Sequence, residues 1–179
     1  RNMRNLLGNI GIGHVRYPTQ GCASSTEECQ PFYVNAPFGI ALAHNGNLTN
    51  ADDLRQELYD TDRRHVNTTS DSEVLLNVLA SEISAVTQNG VRLTKEGVFK
   101  AVHEVHRRVR GSYACVAIIA GKGMLAFRDP NAIRPICWGT QERPDGGRDI
   151  MVSSESVTMI GLGFDVQGDL APGLSLIHI

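Results

Sequence analysis

The chain has 179 residues, 41% of them hydrophobic and 20% charged, which suits one compact globular domain with a core that needs no staples. A net charge of −2 argues against a nucleic-acid binder that works by neutralising phosphates. No run of about 18 apolar residues exists, so neither a transmembrane helix nor a membrane partner is expected.

The first residue is Arg1 rather than Met, and the opening stretch lacks signal-peptide anatomy, so the sequence reads as a piece of a longer polypeptide. Leu7 to Val15 is apolar but carries Gly8, Gly11 and Gly13, which predicts a strand closely approached by other backbone. It leads into His14-Val15-Arg16-Tyr17. Residues 18–30 are small and polar, a connection long enough to be a lid or binding loop. Pro31–Val34 and Phe38–Ala43 predict short strands, and the chain is expected to turn at Asn45-Gly46.

A helix follows over Asn50–Tyr59, with Thr49 or Asn50 as its N-cap. Ser70 and Glu73 have capping-box spacing at the start of a second helix. Its apolar stripe is Val74, Leu75, Val78, Leu79 and Ile83, and Gln88-Asn89-Gly90 stops it. A third helix runs from about Thr94 to Val109 and buries Val98, Ala101, Val102, Val105 and Val109. Ser112–Ala120 is a nearly continuous apolar strand, the pattern of a strand covered on both faces. Gly121-Lys122-Gly123 turns the chain into a return strand, Met124–Arg128. After a turn at Asp129-Pro130-Asn131, Ile136–Gly139 and Ile150–Ser153 are further strands, and Ser156–Leu162 is a short helix. Strands, then helices, then strands, without βαβ alternation, predict an α+β fold with helices on the outer faces of its sheets.

The cysteines are Cys22, Cys29, Cys115 and Cys137. No C-x-x-C pair occurs, and the spacing suits neither a zinc site nor a disulfide frame. They read as reduced thiols of a cytoplasmic protein. His103 and His106 lie beside Arg107, Arg108 and Arg110, which predicts a solvated basic face rather than a metal site. Glu27-Glu28 and Asp52-Asp53 read as surface charge. No nucleophile elbow, P-loop or zincin motif is present.

Three polar clusters stand at element ends. Asn45 and Gly46 offer a side-chain amide and an unobstructed backbone N–H, two donors that can hold a developing oxyanion. A plain hairpin turn favours the same dipeptide. Arg16 can hold a carboxylate through its planar fork, or form an ordinary ion pair. Asp71 can hold an ammonium, or simply complement a helix dipole. Together these residues would bracket a free α-amino acid.

The segments Gly13-His14-Val15-Arg16-Tyr17-Pro18-Thr19, His44-Asn45-Gly46-Asn47-Leu48, Thr69-Ser70-Asp71-Ser72-Glu73, Arg110-Gly111-Ser112-Tyr113-Ala114 and Phe127-Arg128-Asp129-Pro130-Asn131 occur in that order. In this the chain closely resembles the glutaminase domain of the amidophosphoribosyltransferase family, class II glutamine amidotransferases with the N-terminal nucleophile hydrolase fold. The resemblance runs over roughly Leu7 to Gly173 and implies a four-layer αββα sandwich, incomplete at its N-terminus. It implies that Arg16 binds the glutamine α-carboxylate and Asp71 the α-ammonium. Asn45 and Gly46 would form the oxyanion hole. The loop from Tyr17 to Glu28, with Pro18, Thr19 and Gly21, would close as a lid.

In that family the nucleophile is an N-terminal cysteine whose own amino group is the general base. None of the four cysteines here takes its place, so the chain alone is expected to be inactive. Ammonia would pass to a phosphoribosyltransferase domain that is not part of this chain. That domain would hold Mg²⁺ and phosphoribosyl pyrophosphate and form phosphoribosylamine, the first committed step of purine synthesis. The full-length protein would be a homo-oligomer. An iron–sulfur cluster is left open, because the cysteines here offer no clustered ligand set. The family usually has Gly where Ala132 stands, so a positive φ there would strain this chain. The last six residues, Leu174 to Ile179, depart from the family's continuation and read as non-native sequence. Another class II amidotransferase, or a non-catalytic amino-acid-binding module, are the alternative readings.

Overall fold

The computed structural model describes residues 8–15 and 28–178, the last three as backbone only. Its strands are β1 (Phe32–Val34), β2 (Ile40–Leu48), β3 (Gly111–Ile119), β4 (Gly123–Arg128), β5 (Cys137–Glu142), β6 (Arg148–Ser153), β7 (Asp165–Asp169) and β8 (Ser175–His178). Its helices are α1 (Ala51–Asp60), α2 (Asp71–Val86), α3 (Lys95–Arg108) and α4 (Ser156–Gly161). The fold is α+β, as expected. Every strand pairing is antiparallel: a five-stranded sheet in the order β1-β2-β3-β4-β8 and a three-stranded sheet in the order β6-β5-β7. No helix is long and apolar enough to cross a membrane among the described residues.

The main core lies between α1, α2, α3 and one face of the larger sheet. Leu75, Leu76 and Leu79 of α2 are fully buried there. Each such burial contributes about 1.5–3 kcal/mol, far more than helix-propensity differences, so packing decides where α2 lies. On β3, Tyr113, Cys115, Ala117 and Ile119 join this core. Ala114, with Val116 against it, belongs to a second cluster with Ala126, Ile136 and Leu170, which Trp138 and Val152 of the smaller sheet complete. The period-2 alternation of β3 thus puts apolar contacts on both faces.

The helix ends differ from their sequence signatures. Asn50 stands at the N-cap of α1 but makes no capping bond. Its side chain instead bridges the Arg108 carbonyl and the Arg110 N–H, both at 2.9 Å, and so docks α1 on the end of α3. Ser70 caps α2 by accepting from the Ser72 N–H. Glu73 does not close the capping box. It reaches back to Asn67 and Thr68, whose backbone N–H groups and side chains all donate to it. Burial pushes the Glu73 carboxyl up, but these hydrogen bonds outweigh it and hold it below its ordinary value.

Other expectations are corrected. Gly8 to Val15 carries no strand, and a Cβ at Gly11 or Gly13 would meet nothing within 4 Å, so no backbone passes close to them among the described residues. β2 does not stop at Ala43 but runs through Asn45-Gly46 to Leu48. The basic face at the end of α3 is solvated only in part: His103, Arg107 and Arg110 are exposed, while His106 and Arg108 are half-buried. His106 Nδ1 lies 2.7 Å from the Tyr113 hydroxyl, and its ring stacks on Tyr113. Arg108 pairs with Asp62 at 2.8 Å, Glu82 at 2.6 Å and Glu57 at 3.2 Å, tying the three long helices together. β7 has no counterpart in the sequence reading, and Ser175–His178 pairs with β4.

The step from the larger sheet to the smaller is set by Arg128 and Asp129. Asp129 is fully buried, and its carboxylate accepts from the N–H groups of Tyr113, Asn131, Ile133 and Arg134. Ala132 has a φ of 53°, the positive value expected of a position where the resembled family usually has Gly. That conformation turns successive N–H groups toward one carboxylate. An L-residue there carries about 1–2 kcal/mol of strain, partly offset by its lower unfolded-state entropy. Ala132→Gly is therefore expected to stabilise the fold by about 0.5–1 kcal/mol, read as a higher urea midpoint at unchanged slope. A lower midpoint would contradict the strain account.

Candidate active site

A cleft of about 860 Å³ opens between the two sheets. Ala43, Asn45, Ala114 and Val116 line it from the larger sheet, and Ile136, Ile150 and Val152 from the segment and strand of the smaller. The start of α2 closes one end with Ser70, Asp71 and Ser72. Two of the sequence-predicted clusters, Asn45-Gly46 and Asp71, therefore meet at one place.

Asn45 is not in a turn. It pairs with Ala114, and Gly46 pairs with Tyr113, in the middle of the β2–β3 ladder. The physical reason is that β3 offers an uninterrupted partner as far as Gly111. Gly46 has a φ of 151°, and a Cβ on it would come 2.1 Å from the Ser112 carbonyl oxygen. Only glycine fits this approach.

Backbone N–H groups alternate sides along a strand. The Asn47 N–H donates to the Ser112 hydroxyl on β3. The His44 N–H donates the other way, to Gln30 Oε1 at 2.6 Å, and the Leu48 N–H to Asp71 Oδ2 at 2.9 Å. The Gly46 N–H lies between these two and so points to the same open edge. β1 does not cover that edge, because its register ends at Leu42. The half-buried Asn45 side chain faces the cleft beside it.

Asp71 stands in the first turn of α2, as expected, and is buried there. One carboxylate oxygen is committed to Leu48, which anchors the helix to β2. The other lies 3.5 Å from the Ser72 hydroxyl and retains acceptor capacity toward the cleft. Arg16 and the lid residues Tyr17, Pro18, Thr19 and Gly21 lie outside the described residues.

Sequence reasoning missed several residues at this place. His44, within the H-N-G-N motif, is buried, with Nδ1 2.9 Å from the Ser72 hydroxyl. Gln30 donates to the same hydroxyl at 3.1 Å. Glu28 is buried rather than surface charge, and it accepts from the Thr69 hydroxyl at 2.9 Å. Arg134 lines the opposite wall. The available signal for His44 was its place in the H-N-G-N motif, directly after the predicted strand Phe38–Ala43. Glu28 carried none, because its burial depends on the start of α2.

The thiols stand apart. Cys115 points into the helix-side core, where burial pushes its pKa well up, and Cys137 donates to the Ser153 carbonyl. Cys29 is exposed, and Cys22 lies outside the described residues. No group of three or more metal-ligating side chains occurs among the described residues.

Burial lowers the His44 pKa below 6.5, and the nearby Asp71 charge opposes this only in part. Between the folded and unfolded values the unfolded chain binds the extra proton, so this stability is complete above about pH 6.5 and is lost as pH falls. In a pH titration followed by ring carbon shifts, His44 should keep the neutral form to lower pH than an unperturbed histidine does. A midpoint at or above the unperturbed value would contradict the burial argument.

The sequence matches the family described as "Glutamine amidotransferase domain" over residues 19–160. It is 55% identical over 173 residues to the amidophosphoribosyltransferase of Escherichia coli, covering 97% of this chain and 34% of that protein. To the amidophosphoribosyltransferase of Pseudomonas aeruginosa it is 57% identical over 173 residues, with the same coverage of 97% and 34%. A solved glutamine phosphoribosylpyrophosphate amidotransferase from B. subtilis, complexed with ADP and GMP, superposes with a TM-score of 0.67 at 29% identity, over 92% of this chain and 31% of that one. The chain thus spans about a third of the length of the curated relatives it matches. With a family match over most of its length, the chain belongs to the glutamine amidotransferase domain family.

Proposed function

We propose that this chain is the glutamine-hydrolysing part of an amidophosphoribosyltransferase. The observation that carries the proposal is the meeting of Asn45, the open-edge N–H of Gly46 and the carboxylate of Asp71 at one end of one cleft. Glutamine lies there with its ammonium on the free oxygen of Asp71 and its carboxylate on Arg16. Its amide carbonyl then faces the Asn45 side chain and the Gly46 N–H. Both donors strengthen as negative charge develops on that oxygen under attack, which lowers the barrier rather than merely tightening binding. The strand ladder fixes the donors beforehand, so no reorganisation accompanies the reaction. The loop from Tyr17 to Glu28 closes over the bound amino acid.

The attacking thiol is supplied by an N-terminal cysteine outside residues 1–179. Cys115 is sealed on the wrong face of the sheet, with its thiolate disfavoured by burial. In the full-length protein the released ammonia reaches a phosphoribosyltransferase domain, where it converts phosphoribosyl pyrophosphate to phosphoribosylamine in the first committed step of purine synthesis. Mg²⁺ belongs to that domain, and no step at this cleft runs through it. The complete domain is a four-layer αββα sandwich of the N-terminal nucleophile hydrolase type, in a cytoplasmic homo-oligomer. The packing of α1–α3 on one face of the larger sheet and the second cluster on its other face support the layering.

In the full-length protein, Asn45→Ala is expected to lower glutamine-dependent kcat about 10²- to 10³-fold, the usual cost of one oxyanion donor, and to leave ammonia-dependent synthesis intact. Turnover unaffected by that change would sink the oxyanion assignment and favour a binding module. Purified residues 1–179 are expected to release no glutamate from glutamine. Measurable release would mean that a nucleophile exists within this chain.

A further inference from the structure

We infer that Ser72 is a positioning residue, whose hydroxyl fixes the ring of His44 and so holds the Asn45-Gly46 segment against the end of α2 that carries Asp71. The inference rests on the glutaminase reading of the cleft and deepens it. It follows from donor and acceptor bookkeeping around one buried hydroxyl.

A serine hydroxyl has one hydrogen to give and two lone pairs. Ser72 Oγ has three neighbours: Gln30 Nε2 at 3.1 Å, His44 Nδ1 at 2.9 Å and Asp71 Oδ1 at 3.5 Å. The Gln30 amide is oriented by its other end, where Oε1 accepts the His44 N–H at 2.6 Å. Its nitrogen therefore faces Ser72 and can only donate, which occupies one lone pair. The single hydroxyl hydrogen remains for His44 or Asp71.

The far side of the His44 ring decides between them. Nε2 lies 3.5 Å from the Ser112 carbonyl oxygen, which can only accept. A neutral imidazole carries one N–H, and that carbonyl places it on Nε2. Nδ1 is then an acceptor, and the Ser72 hydrogen goes to it, across the shorter of the two distances. The result is a closed ring of directed bonds. Gln30 gives to Ser72, Ser72 gives to the His44 ring, and the His44 backbone gives back to Gln30.

This ring acts on the candidate donors through one carbonyl. The Ser112 oxygen that receives Nε2–H also occupies the space beside Gly46, where a Cβ would lie 2.1 Å from it and 2.8 Å from His44 Nε2. The His44 ring and the Gly46 backbone are therefore packed on the same atom. Without the Ser72 hydroxyl, Nδ1 loses its donor at 2.9 Å, and only the longer 3.5 Å contact to the Ser112 carbonyl still favours the Nε2–H form, so the Nδ1–H form gains population. The Nε2 lone pair then faces the carbonyl oxygen, and their repulsion displaces the segment that bears both donors.

The test uses the full-length protein with Ser72→Ala, and Gln30→Met as a second variant that removes the same ring from its outer side. Displacement of a positioned group by about 1 Å costs up to about 10²-fold, so glutamine-dependent kcat should fall about 10- to 100-fold in Ser72→Ala with little change in KM. Ammonia-dependent synthesis, which does not use the cleft, should persist. In ¹⁵N-histidine spectra the His44 signals, identified by their loss in His44→Asn, should move from the Nε2–H form to a mixture. Gln30→Met should move both readouts the same way by less. Retention of the Nε2–H form, or of wild-type glutamine kcat, in Ser72→Ala overturns the inference. Equal loss of the ammonia-dependent reaction also overturns it, because the change would then be a folding defect. If Asn45→Ala leaves glutamine turnover intact, the glutaminase reading falls, while the tautomer readout still decides the role of Ser72.

Discussion

The buried carboxylate of Asp129 is the constraint on which the two-sheet arrangement depends. A fully buried carboxylate is tolerated only when its lone pairs are taken up, and here backbone N–H groups from β3 and from the loop after β4 do so. Its own backbone is equally committed: the N–H donates to the Tyr113 carbonyl, and the carbonyl accepts from Ala132 and Gly173. Beside it, the Arg128 guanidinium donates to the carbonyls of Ala132, Arg134 and Leu170. Anion and cation each satisfy backbone groups of opposite polarity along one irregular stretch. That stretch carries the chain from the larger sheet to the smaller, and it sets the wall that Arg134 and Ile136 present to the cleft.

The sequence features that survived folding were those with a local cause. α2 and α3 were legible because their apolar stripes repeat at helical spacing and their caps, Ser70 and Thr94, are of the expected type. β3 was legible because both of its faces are apolar. The positive φ at Ala132 was legible from the resemblance, since the family usually has Gly after the R-D-P-N segment. What failed depended on partners outside the element itself. Glu73 has capping-box spacing, but the preceding loop offers it better donors. His106 lies among basic residues in sequence, yet Tyr113 and Phe127 from neighbouring strands pack against its half-buried ring. β7 is short, half polar and exposed, with no periodicity to mark it, and exists because β5 offers a free edge.

The candidate site divides in the same way. The residue types at Asn45, Gly46 and Asp71 were legible from chemistry and motif. Their meeting was not, since it depends on α2 docking on β2 through Asp71 and Leu48. The error over Asn45-Gly46 is instructive. Asn-Gly is a strong turn signal when nothing else competes. Here the partner strand continues, and the requirement for glycine comes from the Ser112 carbonyl rather than from reversal of the chain.

The ladder also gives a reason for a candidate site within a strand. An uncovered strand edge presents a row of N–H groups that seek partners and invite aggregation. β2 outlasts β1 after Leu42, which leaves His44, Gly46 and Leu48 with N–H groups on the open edge. The first is satisfied by Gln30 and the third by Asp71, both through short bonds to side-chain oxygens. Gly46 stands between two filled positions with no side chain of its own to block approach. A turn would have exposed its N–H to water in no fixed direction. The ladder with β3 fixes that direction, and the two capped neighbours hold the strand in register on either side, so the remaining donor is aimed before any ligand arrives.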